Sequence, residues 1–344
     1  MRIILDGMGG DNAPEAVVQG AVNAVKTIED QIIIVGQEEV ISSCLKKTGY
    51  AGTQISICHA EDVITNEDAP VRAVRRKKQS SMVVGMNMVK NGEGDVFISA
   101  GSTGALLAGG MLILGRVKGI DRPTLATVYP VMGREPSFLT DTGANAECRP
   151  RNLLEFATMG SIYMEKVLGR ENPTVGLVNN GTEETKGTTL TKKAHALLKK
   201  SGLNFIGNIE ARELQNSVCD VIVTDGFTGN VIIKLTEGFG LMVLRELKAR
   251  FLANGKAKLG AFLLSDQLMG IKKEFDYTEY GGAPILGLKA PLLKMHGSSD
   301  AKAVEKTILK AIPYVKEDVV GTIEKAIQGL EDVEEELEEG DLDV

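Results

Sequence analysis

The sequence predicts a three-layer α/β/α fold around a mostly parallel sheet. Three observations carry this prediction. Short β-branched runs alternate with helical patterns along the whole chain. Several runs, such as Ile32-Ile33-Ile34-Val35 and Val221-Ile222-Val223-Thr224, are apolar almost throughout, which suits strands covered on both faces. The runs also end in polar, glycine-rich turns, at the carboxyl ends where ligands bind in open α/β sheets.

Taken in order, residues 2–6 form a strand that ends on Asp6 and enters the turn Gly7-Met8-Gly9-Gly10. A helix over 14–26 follows, with Pro14 at an early position where its missing N–H costs nothing. Strands are expected at 31–36 and 53–59, and one helix over 71–90. Residues 95–100 read as a strand and 105–114 as an apolar helix. Strands follow at 124–131 and 137–141, a helix at 152–168, and strands at 174–179, 203–207 and 220–225. Two helices joined near Asn254 and Gly255 then make a helical hairpin over 240–275. After Gly329 the stretch LEDVEEELEEGDLDV repels itself and is expected to fray. Residues 1–330 therefore read as one domain and 331–344 as an acidic tail.

Bulk properties exclude several classes. The 344 residues are 43% apolar and 25% charged, as in a folded globular chain. A formal charge of −7 argues against a general nucleic-acid surface. Cys44, Cys58, Cys148 and Cys219 are dispersed, with no CxxC pair, and read as small buried residues in a reducing cytoplasm. Met1 leads straight into a strand, so no secretory leader is expected. The apolar runs look too short to span a bilayer.

Five strand ends carry the chemistry. In SAGSTGALLAGG, Ser102, Thr103 and Gly104 sit where a helix begins, either as an anion site or as a plain N-cap. In NNGTEETKG, Lys186 follows a Gly-containing turn, as an anion contact or a solvated lysine. TDGFTGN presents Asp225, Thr228, Gly229 and Asn230, and DTGAN presents Asp141 and Asn145; the alternative is turn and cap chemistry. Asp6, Asp141 and Asp225 are a weak metal signal, with no DxDxDG loop, and no metal is assigned. DGMGGDN lacks the dinucleotide spacing, and no Walker, zincin or hydrolase motif occurs. His296, in KMHGSSD, is expected to be structural. Arg72, Arg75, Arg76 and Lys77 form a basic run, read as a solvated face or a landing site for an acidic partner. Leu259, Phe262, Leu263 and Ile271 make an apolar stripe among lysines, read as a dimer or core face, or as an interfacial helix on anionic membrane.

Eight ordered motifs resemble one family: DGMGGDNAP, EDAPVRAVRRKKQSSM, ISAGSTGALLAGG, GIDRP, DTGANAECRPRNLLEFATMG, NNGTEETKG, DGFTGN and YGGAPILG. Together they look like the bacterial phosphate acyltransferase family PlsX, over about residues 1–330. This chain departs from the usual pattern at Gly7, Asn12, Thr142 and Thr185, where the family has Ala, His, Val and often Gly. With Asn12 in place of His, position 12 is given no catalytic role.

The resemblance implies transfer of a fatty acyl group from acyl-acyl carrier protein to inorganic phosphate, on a fold shared with phosphotransacetylases and isopropylmalate-dehydrogenase-like enzymes. It implies no cofactor, a homodimer, a cytoplasmic enzyme peripheral to the inner face of the membrane, and a downstream acyl-phosphate:glycerol-3-phosphate acyltransferase (PlsY) as a further partner. On this resemblance Lys186 and Asn230 are catalytic. Asp6, Gly9, Ser102, Thr103, Gly104, Asn145, Asp225, Thr228 and Gly229 shape the substrate site, and Arg72, Arg75, Arg76 and Lys77 dock the carrier protein. Two other readings stand beside it: a coenzyme-A-dependent phosphate acetyl- or butyryltransferase, and a non-catalytic membrane-surface scaffold.

Overall fold

The structure, a computed structural model, describes residues 1–131, 135–274 and 281–330. The acidic stretch after Leu330 lies outside the described residues. The elements run β1 (Arg2–Asp6), α1 (Glu15–Ala24), β2 (Gln31–Gly36), α2 (Glu38–Lys47), β3 (Ile55–His59), α3 (Pro70–Arg76), α4 (Ser81–Lys90), β4 (Val96–Ser99) and α5 (Thr103–Gly109). Then come β5 (Thr124–Tyr129), β6 (Ser137–Thr140), α6 (Pro150–Leu168), β7 (Val175–Asn179), α7 (Thr189–Lys200), β8 (Phe205–Glu210) and β9 (Val221–Val223). The chain continues with α8 (Gly226–Leu252), α9 (Gly255–Leu263), α10 (Ser265–Glu274), β10 (Ala283–Leu286), β11 (Leu292–Lys294), α11 (Ala301–Lys316) and α12 (Val319–Gln328).

All the described strands form one sheet, in the order β3-β2-β1-β4-β11-β10-β5-β6-β9-β7-β8. Its two wings are parallel within themselves. Between them lie three antiparallel pairings, β11 with β10, β10 with β5 and β5 with β6. An odd number of reversals makes the wings run in opposite directions. The polar ends of β1 and β4 therefore lie toward one edge of the sheet and those of β6, β7 and β9 toward the other. Helices cover both faces, and the main core runs from Ile3, Ile32 and Ile98 to Phe156, Tyr163 and Val221, all buried.

Several elements differ from expectation for physical reasons. The single helix over 71–90 is two. Lys77 leaves the helical region, and Ser80 starts α4 by accepting the Val83 N–H at 3.4 Å. The helix expected over 105–114 opens as α5 and widens into a π-turn at Gly110–Leu114, where the Gly115 N–H reaches back five residues to Gly110 O. β10 and β11 were not foreseen, being four and three residues long in a Gly- and Pro-rich stretch. The long helix begins at Gly226, well before 240, and breaks at Asn254, which caps α9 through the Ala257 N–H at 2.9 Å. α8, at 27 residues, is long and apolar enough by length and composition to cross a membrane, contrary to expectation. Its first half instead packs over the middle of the sheet and lines the cavities described next.

Candidate active site

Two cavities adjoin at the centre of the sheet. The first, of about 340 Å³, is lined by Thr103, Thr142, Gly143, Asn230, Lys234, Lys294 and His296, with the backbone of Gly281 and Gly282. The second, of about 310 Å³, runs between β5 and α8 along Val128, Tyr129, Pro130, Ile233, Leu241 and Leu244. They share Thr127, Ile233, Glu237 and His296. Both volumes fall in the range of small-molecule sites. A polar, cationic chamber thus opens into an apolar groove.

The strand ends after β4, β6 and β11, together with the start of α8, build the polar chamber. In the loop after β6 the buried Asp141 carboxylate accepts N–H groups from Gly143, Ala144, Asn145 and Leu125 at 2.7–3.2 Å, and the Asn145 side-chain amide at 2.8 Å. Burial raises the Asp141 pKa above the usual carboxylate range, while these donors pull the other way. Asn145 also gives its amide to Pro123 O at 2.8 Å, so its side chain holds the loop. The Asn145 carbonyl in turn accepts the Gly226 N–H at 2.8 Å, which seats the start of α8. Only glycine fits there, because a Cβ on Gly226 would lie 2.7 Å from that carbonyl oxygen, and one on Gly229 would run into the Asp141 carbonyl.

Asp225 is the N-cap of α8 and accepts both the Thr228 N–H at 2.9 Å and its hydroxyl at 2.8 Å. Asp225 and Thr228 are thus engaged with each other, while Asn230, on the same turn, is exposed and lines the chamber beside Gly143.

The loops after β1 and β4 interlock. Asp6, buried, accepts the Ser99 hydroxyl at 2.6 Å, and Ser99 accepts the Gly101 N–H at 2.9 Å. Burial raises the Asp6 pKa against these hydrogen bonds. A side chain on Gly9 would meet the Gly101 nitrogen at 2.8 Å, so the glycine is what lets the two loops touch. Asn12 closes onto the loop after β11 by donating to the carbonyls of Ser298 and Ser299 at 3.0 and 3.2 Å. Asp6 and Gly9 therefore shape the wall from behind. Ser102, at the start of α5, makes no side-chain cap, and its neighbour Thr103 reaches the chamber. Gly104 packs against Pro70 of α3, so the basic helix lies against the same turn.

Lys186 is exposed on the loop after β7 and is not among the residues lining either cavity. That loop is anchored by Asn208, which donates to Glu183 O at 2.9 Å and pairs with His195 at 3.0 Å. On α3, Arg72, Arg75 and Arg76 are exposed, whereas Lys77 is tied to Asp68 at 2.7 Å and Val63 O at 2.9 Å. Leu259, Phe262 and Leu263 are 60–75% exposed, and the Ile271 side chain lies outside the described residues. Phe227, Leu235 and Phe239 extend this apolar surface along α8, beyond the stripe foreseen.

Sequence reasoning missed Lys234, Glu237 and Lys294, and placed His296 as structural. Lys294 and His296 alternate at the end of β11, so both side chains reach one face; that K-x-H spacing was the available signal. Burial pushes Lys294 down to about 8.

Solved structures with this architecture define the class. A phosphotransacetylase from Streptococcus pyogenes superposes with a TM-score of 0.62, covering 95% of this chain and 94% of its own, at 19% identity. EutD phosphotransacetylase from Staphylococcus aureus gives 0.58 over 92% and 94%, at 18% identity. At such identities the likeness is one of fold: a three-layer α/β/α sheet of the phosphotransacetylase type. Sequence relatives go further. The phosphate acyltransferase of Alkaliphilus oremlandii is 54% identical over 97% of this chain and 99% of its own, and that of Clostridioides difficile is 50% identical over 95% and 96%. Residues 1–322 match the model of the family described as fatty acid synthesis protein, and the chain belongs to that family.

Proposed function

We propose that this chain moves a fatty acyl group from acyl-acyl carrier protein to inorganic phosphate, giving acyl phosphate and free carrier protein for phospholipid synthesis. The observation that carries this reading is the junction of a cationic chamber with an apolar groove. Phosphate fits the first, beside Lys234 and Lys294, and the acyl chain fits the second. The thioester carbonyl then falls where the two meet.

Phosphate is already ionised at neutral pH, so the nucleophile needs no strong base. Its oxygen attacks the thioester carbon, the carbonyl pair moves onto oxygen, and the tetrahedral intermediate expels the carrier thiolate. The work of the protein is to hold two reactants together and to stabilise the oxyanion. Asn230 is the proposed donor to that oxygen, from the wall of the chamber. Lys186 is the proposed cation for phosphate or oxyanion, a role that requires its loop to close over bound substrate. Thr103 is the proposed phosphate contact, with Ser102 and Gly104 shaping the turn that presents it.

The carrier protein is acidic and needs a positive landing surface. Arg72, Arg75 and Arg76 offer one beside the turn that carries Thr103. The apolar face of α8–α10 supports a homodimer, and its outer part, with Lys256 and Lys258, supports contact with anionic membrane by a cytoplasmic enzyme. A downstream acyltransferase taking acyl phosphate is the further partner this placement implies.

The test is carrier-thiol release from a long-chain acyl-acyl carrier protein, with and without inorganic phosphate. Phosphate-dependent release is expected, with Lys186→Ala and Asn230→Ala each losing about 10²–10³ in rate while staying folded. Release that ignores phosphate, or near-normal turnover in both variants, would refute the reading and the residue roles respectively.

A further inference from the structure

Lys186 stands on an exposed loop, outside both cavities. A lysine there wanders unless the backbone beneath it is fixed, because its stem is flexible. The structure fixes that backbone on both sides. The Lys186 N–H donates to Glu183 O at 3.1 Å, closing a tight turn. The Lys186 carbonyl accepts the Asn179 side-chain amide at 3.2 Å, from the end of β7. Gly181 makes room for the stem, since a Cβ there would stand 3.0 Å from Lys186 Cγ.

Glu183 O is itself held by a buried side chain. Asn208 of β8 donates Nδ2–H to that oxygen at 2.9 Å. A carbonyl oxygen only accepts, so the amide nitrogen faces Glu183 and the Asn208 amide oxygen faces the other way. There it lies 3.0 Å from Nδ1 of His195, on α7. An amide oxygen also only accepts, so His195 donates Nδ1–H to it. His195 and Asn208 are each 6% exposed, and the Phe205 ring stands edge-on to the imidazole at 5.0 Å. The outer side of the turn is held by Glu184 with Lys199 at 2.7 Å, both 62% exposed, and His195 Nε2 lies 3.7 Å from the same Glu184 oxygen. An ion pair so exposed contributes little. The buried pair, His195 and Asn208, is therefore what fixes the turn. A loop that only connects two elements needs no such relay; a loop that must present one ammonium does.

We propose that His195 and Asn208 are positioning residues for Lys186. The relay from the His195 ring through the Asn208 amide to Glu183 O keeps the 183–186 turn folded, so the loop delivers Lys186 already ordered when it closes over substrate. This rests on the reading of Lys186 as the cation for phosphate or oxyanion. Neither residue touches substrate, and no proton passes between them during the reaction.

The experiment is a double-mutant cycle with Lys186→Ala, read as phosphate-dependent thiol release from palmitoyl-acyl carrier protein, with melting curves for every variant. Asn208→Asp keeps the shape and the acceptor toward His195 but has no donor for Glu183 O. It should lose at least about tenfold in kcat, as a displacement approaching 1 Å does. His195→Leu frees the Asn208 amide to turn and should lose a similar factor. His195→Asn keeps an N–H where Nδ1 stands and should recover most of that loss. In the Lys186→Ala background the same substitutions should change the rate by less than about twofold, since they act through a side chain that is gone. A merely structural pair would cost the same factor in both backgrounds, in step with the melting temperatures. That result overturns the proposal and leaves acyl transfer intact, as does unimpaired kcat in a folded Asn208→Asp. Should His195→Leu not fold, the isosteric Asn208→Asp carries the cycle. Near-normal turnover in Lys186→Ala removes the role of the lysine and that of the relay with it. Wild-type protein with no phosphate-dependent release overturns acyl transfer itself.

Discussion

Replacing Gly226 by alanine tests how the site is assembled. The new Cβ would stand 2.7 Å from the Asn145 carbonyl oxygen and 2.8 Å from the Asn145 nitrogen, and ordinary contact begins at 3.4 Å. The gap must open by 0.7 Å, the difference between 3.4 and 2.7 Å. Two of the three nearest atoms are Asn145 backbone, and the third, Asp141 Oδ2 at 2.8 Å, is itself pinned by the Asn145 N–H and side-chain amide, so nothing in the way swings aside freely. The start of α8 has to lift, and the Gly226 N–H to Asn145 O bond, now 2.8 Å, stretches with it.

Overpacking of this kind costs about 1–3 kcal/mol. Asn230 sits one turn along the same helix, and a displacement approaching 1 Å at a reacting group reduces rate by about tenfold to a hundredfold. Gly226→Ala should therefore lower the denaturation midpoint at unchanged m and slow phosphate-dependent thiol release by at least about tenfold. Gly260→Ala is the control. That glycine lies within α9 with nothing inside 4 Å of its Cβ position, so alanine should be neutral or stabilise by about 0.5–1 kcal/mol. A Gly226→Ala protein with wild-type midpoint and turnover would refute the claim that this contact positions Asn230.

Three further outcomes are expected. Charge reversal at Arg75 and Arg76 should weaken use of acyl-acyl carrier protein more than use of a small acyl thioester, and equal effects on both would exclude docking at α3. Leu244→Lys, in the apolar groove, should raise KM for long-chain acyl donors and spare short-chain ones, because each buried methylene is worth about 0.8 kcal/mol; a uniform effect across chain lengths would remove the groove from the acyl path. Lys310, on α11, donates to Gly282 O at 3.2 Å and is pushed by burial down to about 7. The unfolded chain then binds more protons than the folded one above that value. Stability relative to Lys310→Met should therefore rise between about pH 7 and the ordinary lysine range, and a difference independent of pH would show the ammonium to be solvated.

Much of the fold was legible because β-branched runs such as Ile32–Val35 have few alternatives to a buried strand. β10 and β11 were not, since Pro284, Pro291 and the surrounding glycines read as loop, and their pairing depends on partners far along the chain. Those two strands join β4 to β5 across the middle of the sheet and place Lys294 and His296, so missing them also hid the cationic half of the chamber. Asn230 and Thr103 were visible from glycine-rich strand ends. Asp225, Thr228 and Asn145 carry the same signal, yet their side chains are engaged in hydrogen bonds that hold the loops, Asn145 to Asp141 and Pro123, Asp225 to Thr228. Residue type at a strand end marks the neighbourhood; which side chain faces inward depends on hydrogen bonds the linear sequence does not display.

α8 joins the chamber wall to the exposed apolar surface in one uninterrupted rod. Its pivot is the tight contact of Gly226 with Asn145. At 1.5 Å per residue, Leu252 lies about 39 Å from that pivot and Asn230 about 6 Å. A tilt of about 5° would swing the far end by about 3 Å and move Asn230 by only about half an ångström. The helix is a lever with the chemistry on its short arm, so whatever grips the outer end can flex without spoiling the alignment at the reacting carbon.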